Sequence, residues 1–421
     1  MRCDNSIVPY SLHGSRPRVK TQQLNYRRIF TYVAILSIFL YFALSWFRMM
    51  GDLYERTGSD FMGFYTFGRI SQVKDFASIY KIEEQQQLQE EIVGHPVTPI
   101  FYTHLPFIAP IARALVTADY IASFERWALV LLFLNAINVY ILMNLLDVKK
   151  FSRENLVILC VGAYLFDPTF SGLMNGQDTA ILLLGAAIWA VGFFSEREFL
   201  AGLGLSLTTV RPQVALFLAI PFLFRHRKVF WGFVVGGSVL ALLSVALLKF
   251  EGMLRFIESI RYIESTVWIE RHAIDMPTIS GIIRRNFTFS NPEPVKSFVW
   301  LCYLLGIIGF SLLWYRSPSI TERQIGLLTI ASIFLLPYAH YHDLILLLIP
   351  IFCLLRMYQR DNRVHQNYLV LIPLVISWLS VLGFAGSGSL KFPIVYSIMI
   401  LLSYLLAKNG KLPETVRLQL P

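Results

Sequence analysis

Residues 29–50, IFTYVAILSIFLYFALSWFRMM, are an apolar run of membrane-spanning length that follows a basic stretch ending in Arg27 and Arg28. A helix of about 20 apolar residues crosses the hydrocarbon core of a bilayer. The run is too long for the core of a signal peptide and no small-residue cleavage site follows it, so it predicts an uncleaved first span. Because cytoplasmic flanks carry the excess of Lys and Arg, we expect the N-terminus to lie inside.

The whole 421-residue chain has the same apolar character. It is 55% hydrophobic and only 15% charged, with a mean hydropathy of +0.56, whereas ordinary soluble domains are about 25% charged. Disorder is excluded as well, because it needs low hydrophobicity and high charge. The apolar residues form blocks of about 15–25 rather than the alternating segments of about 10 that build a membrane β-barrel. These features predict an all-α, polytopic bundle of transmembrane helices.

The spacing of the apolar blocks predicts about twelve spans with both termini inside. Connections that this order places inside, such as 147–153 and 225–228, are basic or neutral, as the positive-inside rule requires. The segment 199–224 has a second interpretation as a re-entrant pair, because each of its halves is short. The spans after the first are expected near 123–146, 154–167, 178–194, 199–210, 212–224, 229–249, 297–314, 325–338, 342–358, 367–384 and 392–407.

The chain divides into a basic cytoplasmic tail, 1–28, a single transmembrane domain, 29–407, and a second cytoplasmic tail, 408–421. Two connections on the outer side, 51–122 and 250–296, are too long for turns. Apolar and polar residues alternate in them at helical spacing, which predicts amphipathic helices that lie flat on the bilayer surface. In the second connection the apolar residues are Met253, Phe256, Ile257, Ile260 and Ile263.

The net charge of +10 does not indicate a nucleic-acid partner. The cations lie in short patches between apolar runs, such as Arg225 to Lys228, and lack the aromatic interleaving of a nucleic-acid groove. The four cysteines have neither the spacing of a zinc site nor that of a disulfide framework. They are Cys3, Cys160, Cys302 and Cys353.

Charged groups in or near a membrane are costly, so each one is a candidate for function. Asp60 follows the first span by about ten residues, in Ser59-Asp60-Phe61. Its carboxylate is a candidate general base at the outer surface. Alternatively, Ser59 or Asp60 caps a helix that begins at Phe61. The two interpretations are compatible, because a cap also fixes the carboxylate in place.

Two further polar groups interrupt apolar runs. Asn175-Gly176-Gln177-Asp178 opens an apolar run, and is either part of a site or a polar turn with an Asp N-cap. Arg211-Pro212 separates two apolar halves. A cation at a helix break lines a polar cavity, unless its side chain snorkels to the surface.

A third group, Leu336 to Asp343, contains His340, His342 and Asp343. These are metal-binding residue types, but side chains at i and i+2 diverge on a helix, so we expect no metal and no cofactor. A fourth group runs from Tyr102 to Pro106, and its prolines indicate a re-entrant or surface helix.

Taken in order, these groups resemble glycosyltransferase family 87, polyprenyl-phosphate-sugar-dependent enzymes of the GT-C superfamily. The resemblance covers roughly residues 30–350. Two positions depart from the family pattern: Leu105-Pro106 replaces paired prolines, and Arg211 replaces a lysine. The family motifs fall at Asp60-Phe61 with Phe64-Tyr65, Ile79-Tyr80, Tyr102 to Pro106, Gly176-Gln177, Arg211-Pro212, and Pro337-Tyr338 with Tyr341.

The resemblance implies a GT-C-type fold and a hexosyltransferase of the plasma (inner) membrane with an outward-facing active site. It implies transfer of a mannose-like hexose from a polyprenyl-phosphate donor to a hydroxyl of a glycan or glycolipid, with inversion. Asp60 takes the role of general base in this chemistry. The donor phosphate and sugar are assigned to Arg211, Gln177, His340, Tyr65, Tyr102 and Tyr338.

The alternative function is a polytopic secondary transporter of a polar or anionic substrate. Broken, charged helices in 199–224 fit such a transporter equally well. A transporter, however, predicts repeated halves, which the sequence does not show, and has no need for a long amphipathic segment after the first span.

Overall fold

The computed structural model describes residues 20–408 apart from 53–55, 58, 102–103, 266–274, 288–290, 362–366 and 386–390. Within these described residues every regular element is helical and none is a strand. The all-α prediction is therefore confirmed. Tyr102, one of the predicted donor-binding residues, lies outside the described residues.

The helices follow one another with short connections. The α-helices are α1 (Lys20–Gly51), α2 (Phe61–Val73), α3 (Ile82–Val93), α4 (Ala109–Leu115), α5 (Tyr120–Met143), α6 (Arg153–Tyr164), α7 (Asp167–Asn175), α8 (Thr179–Phe194), α9 (Glu198–Leu207), α10 (Pro212–Ala219), α11 (Arg227–Ser265), α12 (Ile279–Asn286), α13 (Glu293–Arg316), α14 (Glu322–Leu335), α15 (Leu348–Asp361), α16 (Ile372–Ala385) and α17 (Lys391–Lys408). Short 3-10 helices lie at Phe76–Ser78, Pro106–Ile108, Val148–Lys150, Thr208–Val210, Ile220–Leu223 and Tyr341–Leu347.

Length and composition show a polytopic membrane protein. Among the described residues, 7 helical segments are long and apolar enough to cross a bilayer, and further apolar helices have 10–17 residues. An α-helix rises about 1.5 Å per residue, so helices of 10–17 residues are shorter than the hydrocarbon core of about 30 Å. The total of about twelve spans therefore stays a prediction. The long segments are Tyr26–Gly51, Tyr120–Met143, Arg153–Asn175, Arg227–Ile263, Glu293–Arg316, Tyr341–Gln359 and Lys391–Lys408.

The two long connections contain the predicted helices, but one of these helices has a different environment. Helix α11 breaks at Lys249, whose φ is 56°, and the helix beyond leaves Phe250, Leu254 and Ile257 exposed. Such an apolar face suits contact with a bilayer surface. Helix α2, in contrast, is buried on almost every side. It is a core helix of the 51–122 segment, and its buried residues include the polar side chains of Thr66 and Ser71.

Close packing between α8, α9 and α11 positions the Arg211 break. An added Cβ at Gly204 would lie 2.5 Å from Ile188 of α8, and one at Gly202 would lie 2.0 Å from the Val229 carbonyl oxygen of α11. Small residues let membrane helices approach at this distance. Helix α9 is thereby held on both sides, and its C-terminal end points to the interior of the protein.

Candidate functional site

Arg211 lies at a helix break that proline imposes. After α9 and the 3-10 turn Thr208–Val210, the backbone of Arg211 is non-helical, with φ −126° and ψ 87°. Pro212 is the first residue of α10, where its missing N–H costs nothing and its ring keeps the preceding residue out of the helix. The Arg211 side chain is only 11% exposed. It is buried within the protein, unlike a snorkelling arginine.

The guanidinium of Arg211 joins three distant parts of the chain. Its Nη1 donates to Asp178 Oδ1 at 2.9 Å, and its Nη2 donates to Gln177 Oε1 at 3.0 Å. Its Nε lies 3.3 Å from Asp343 Oδ1. His104 Nδ1 lies 2.9 Å from Nη1. We call these five residues the Arg211 cluster.

Asp178 is an internal partner of the cluster rather than a helix cap. It precedes α8, but its side chain makes no capping hydrogen bond. The carboxylate is fully buried, with Oδ1 on Arg211 and Oδ2 at 3.1 Å from His104 Nδ1. Oδ2 accepts no hydrogen bond from the described residues. Of the two interpretations that the sequence left open, a site or a polar turn with an Asp N-cap, the N-cap is wrong, because Asp178 forms a buried ion pair with Arg211.

Gly176 explains how the Gly-Gln motif meets the Asp-Phe motif. Gly176 ends α7 in the left-handed region at φ 66°, which glycine adopts without a Cβ penalty. A Cβ added there would lie 2.5 Å from Phe61 Cβ. Trp127 Nε1 donates to the Gly176 carbonyl oxygen at 2.7 Å and fixes this turn. The turn thus packs against Phe61 while Gln177 reaches Arg211.

Asp60 immediately precedes Phe61 and α2, and its carboxylate has no hydrogen-bond or ion-pair partner among the described residues. It makes no capping hydrogen bond, and Ser59 Oγ donates back to the Arg56 carbonyl oxygen instead. The capping interpretation is therefore wrong for both side chains. Asp60 is half-buried and lies close enough for its charge to act on Arg211 and His342. A carboxylate that is positioned but unpaired among the described residues suits a proton acceptor.

The Leu336–Asp343 group forms an extended turn and then a 3-10 helix. The backbone N–H of His340 donates to Asp343 Oδ2 at 2.8 Å, which leaves Oδ1 facing Arg211. The His340 and His342 rings are 5.5 Å apart, and His342 Nε2 is buried without a hydrogen bond to the described residues. The Tyr338 carbonyl oxygen accepts from Gln213 Nε2 at 3.2 Å. His340 and Tyr338 thus belong to the turn that carries Asp343 to the cluster.

Tyr65 lies apart from the other described residues that were predicted to bind the donor. Its side chain is buried, its hydroxyl donates to the Ala118 carbonyl oxygen at 3.1 Å, and its ring packs edge-on against Tyr120. Burial raises the pKa of the Tyr65 phenol. In this structure Tyr65 stabilises the 51–122 segment. Phe64, its neighbour, packs against the His104 ring at 5.1 Å.

A second buried pair, Tyr341 and Asp167, lies next to the cluster, and of the two only Tyr341 belongs to a motif that the sequence suggested. The Tyr341 hydroxyl donates to Asp167 Oδ2 at 2.5 Å, and Lys391 Nζ lies 4.4 Å above the Tyr341 ring. Asp167 begins α7, and Gln177 and Asp178 follow its end. Helix α7 is therefore bonded to the Leu336–Asp343 group directly at its start, and through Arg211 at its end.

A cavity of about 660 Å³ is lined by Ser59 and Met62, the residues on either side of the Asp60-Phe61 motif. Ser59 and Thr57 contribute to its wall from one side, and Met174 and Asn175 from the other. The cavity and the Arg211 cluster therefore share the chain segment 174–178, and Ser59 of the cavity wall is the neighbour of Asp60. Among the described residues, no group of three or more His, Cys, Asp or Glu side chains is arranged to hold a metal ion.

Comparison with known proteins supplies one match. The family model for glycosyltransferase family 87 matches residues 102–339, more than half of the chain. The matched range contains the whole of α4 to α14, Gln177 and Arg211, whereas Asp60 precedes it. Neither the curated proteins nor the solved structures include a match.

Proposed function

Because the chain belongs to glycosyltransferase family 87 and is a polytopic membrane protein, we propose that it transfers a sugar from a polyprenyl-phosphate donor to an acceptor hydroxyl. Membership of the family makes the chain a membrane glycosyltransferase, which excludes the transporter alternative. The observation that carries the finer proposal is the uncommitted Asp60 carboxylate beside the buried Arg211 cluster.

The proposed reaction is a single displacement in which Asp60 is the base. The acceptor hydroxyl attacks the anomeric carbon of the donor sugar, and its proton passes to the Asp60 carboxylate. A new carbon–oxygen bond forms as the bond between the anomeric carbon and the phosphate oxygen breaks, and the phosphate leaves with the electron pair. One carboxylate and an activated leaving group suffice for this step, and attack from the opposite face inverts the anomeric centre.

Arg211 is the proposed partner of the leaving phosphate. Its contacts with Asp178, Gln177, His104 and Asp343 leave one Nη2 N–H without a partner among the described residues. Positioned donors of this kind stabilise charge that develops on a leaving group. Gln177 and Asp178 hold the guanidinium in one orientation. His340 and Tyr338, on the turn that carries Asp343, are proposed as further contacts for the donor.

Two carboxylates already face the single arginine, so donor binding carries an electrostatic cost. A phosphate that approaches Arg211 must share it with Asp178 and Asp343. We propose that the donor weakens the longer of these contacts, the 3.3 Å approach of Nε to Asp343. The hydrogen-bonded pair with Asp178 then keeps Arg211 in place during turnover.

The donor, the acceptor and the orientation follow the family resemblance. We propose a mannose-like hexose as the sugar, a glycan or glycolipid as the acceptor, and an active site on the outer face of the plasma membrane. The basic stretches 147–153 and 225–228 support this orientation, because they would then lie inside. The test is transfer of radiolabelled mannose from polyprenyl-phosphate mannose by the purified protein in nanodiscs, with a membrane glycolipid extract as acceptor. Labelled product supports the proposal; its absence with every polyprenyl-phosphate hexose and pentose supplied contradicts it.

A further inference from the structure

The 660 Å³ cavity lined by Ser59 and Met62 has the size of a ligand site. One wall is formed by the segment 94–100, which is not helical and is held in place by hydrogen bonds to Gln89. Gln89 Nε2 donates to the Ile100 carbonyl oxygen at 2.9 Å, and its Oε1 accepts from the Ile100 N–H at 2.8 Å. Gln89 is itself buried on α3. The position of this wall is therefore fixed by hydrogen bonds to a buried side chain.

Neighbouring residues of the chain contribute to the cavity and to the surroundings of Arg211. Ser59 lines the cavity, whereas the charge of the next residue, Asp60, acts on Arg211. Asn175 lines the cavity, whereas Gln177 bonds to Arg211. Inverting displacement needs the attacking hydroxyl and the leaving phosphate on opposite faces of the sugar carbon. If the phosphate lies at Arg211, the attacking group comes from the side of the cavity.

The lining of the cavity suits an uncharged sugar. None of its described lining residues is Asp, Glu, Lys or Arg, whereas an anionic group would need a cation. The lining histidine, His95, is exposed, and its Nδ1 lies 3.0 Å from the Pro96 carbonyl oxygen. Asn175 Nδ2 donates to the Ser171 carbonyl oxygen, and its Oδ1 is left to accept a hydrogen bond from a sugar hydroxyl. Met49, near the end of the first membrane helix, also lines the cavity, which places the cavity near the end of that span.

We propose that this cavity binds the acceptor and that the part bound is an uncharged sugar unit. The proposal rests on the proposed function, and it places the acceptor hydroxyl between Ser59, Asn175 and Asp60. A neutral sugar unit can come from a lipid-linked glycan or from a free glycan, and the two sources are separated below.

The first experiment narrows the cavity with Val97→Trp. Val97 is a half-buried lining residue outside any helix, and Val157→Trp, on α6 in a different cavity, is the matched control. With octyl mannoside as acceptor and polyprenyl-phosphate mannose as donor, we expect Val97→Trp to lower transfer at least about tenfold while donor affinity stays within about twofold. The control should preserve both. Wild-type transfer by a folded Val97→Trp overturns the proposal, and loss of donor binding instead assigns the cavity to the donor and also overturns it.

The second experiment uses the wild-type protein and needs no turnover. A photoreactive alkyl mannoside should label the 94–100 segment or Asn175, and excess octyl mannoside should prevent the labelling. Competition by octyl mannoside alone indicates a lipid-linked acceptor, and equal competition by methyl mannoside indicates a free glycan; both support the site. Labelling elsewhere, or equal competition by anionic octyl glucuronide, contradicts it. If the donor is never consumed but the cavity is labelled, the proposed function fails and the sugar site stands.

Discussion

Gly176 has room for no side chain because Phe61 occupies the space: a Cβ on Gly176 would lie 2.5 Å from the Phe61 Cβ. This contact joins two motifs that are more than a hundred residues apart in the sequence. Phe61 follows the proposed base Asp60, and Gly176 precedes Gln177, a partner of Arg211. The short distance between the Asp60-Phe61 motif and the Gly176-Gln177 motif therefore depends on the absence of a side chain at Gly176.

The first prediction is that Gly176→Ala lowers transfer at least about tenfold. The alanine clashes with Phe61 and has to adopt φ 66°, so the turn moves and displaces Asp60 from the cluster. Gly237→Ala is the control, because a Cβ added to Gly237, on α11, meets no atom within 4 Å. We expect Gly237→Ala to leave transfer unchanged. Equal activities for the two variants would contradict the role of the contact.

The second prediction concerns Arg211. Arg211→Gln leaves Asp178 and Asp343 buried without their cation, and we expect it to lower the free energy of unfolding by about 3–5 kcal/mol. The affinity of Arg211→Gln for the donor should fall as well as its stability. Arg211→Lys keeps the charge but loses the planar fork, so it should retain more stability and part of the activity.

The double variant Arg211→Gln/Asp178→Asn separates these effects. It removes one of the stranded carboxylates, so we expect it to recover part of the lost stability but none of the donor affinity. Thermal unfolding in detergent and donor binding are the two measurements. Unchanged melting in Arg211→Gln would show that the ion pairs are not structural.

The third prediction concerns Tyr341→Phe. The change removes the hydroxyl that donates to the buried Asp167, so the carboxylate loses a hydrogen bond at a cost of about 1–3 kcal/mol. Because α7 is then tied to the Leu336–Asp343 group at one end only, we expect weaker donor binding as well. Tyr303→Phe, which removes a hydroxyl that donates to the Gln213 carbonyl oxygen, is a control with a comparable loss. Identical donor affinity in both variants would contradict the positioning role of Tyr341.

The fourth prediction concerns orientation. Gln87 and Arg227 are exposed and Pro292 is half-buried. In a cysteine-free background, Gln87→Cys and Pro292→Cys should react with a membrane-impermeant maleimide in intact cells, and Arg227→Cys should react only after lysis. Labelling of Arg227→Cys in intact cells would place the site in the cytosol.

The fold was predictable because hydropathy reports the long spans directly, and the amphipathic period of 253–263 predicted the helix after Lys249. Helix α2 was misjudged as a surface helix, because burial of its polar residues depends on tertiary packing. The sequence drew attention to Asp60, Gln177 and Arg211. It could not show that Asp178 pairs with Arg211, because a residue before a helix is equally a cap and only the fold decides between them.

The direct test of the account is the activity of Asp60→Asn. Asparagine keeps the shape of the side chain but cannot accept a proton in the same way, so transfer from polyprenyl-phosphate mannose should fall by at least about two orders of magnitude. Asp119→Asn, which alters a helix-capping carboxylate of the same segment, should retain wild-type transfer. Both variants should melt and bind donor as the wild type does. Near-wild-type transfer by Asp60→Asn would contradict the central claim, since the base would then lie elsewhere.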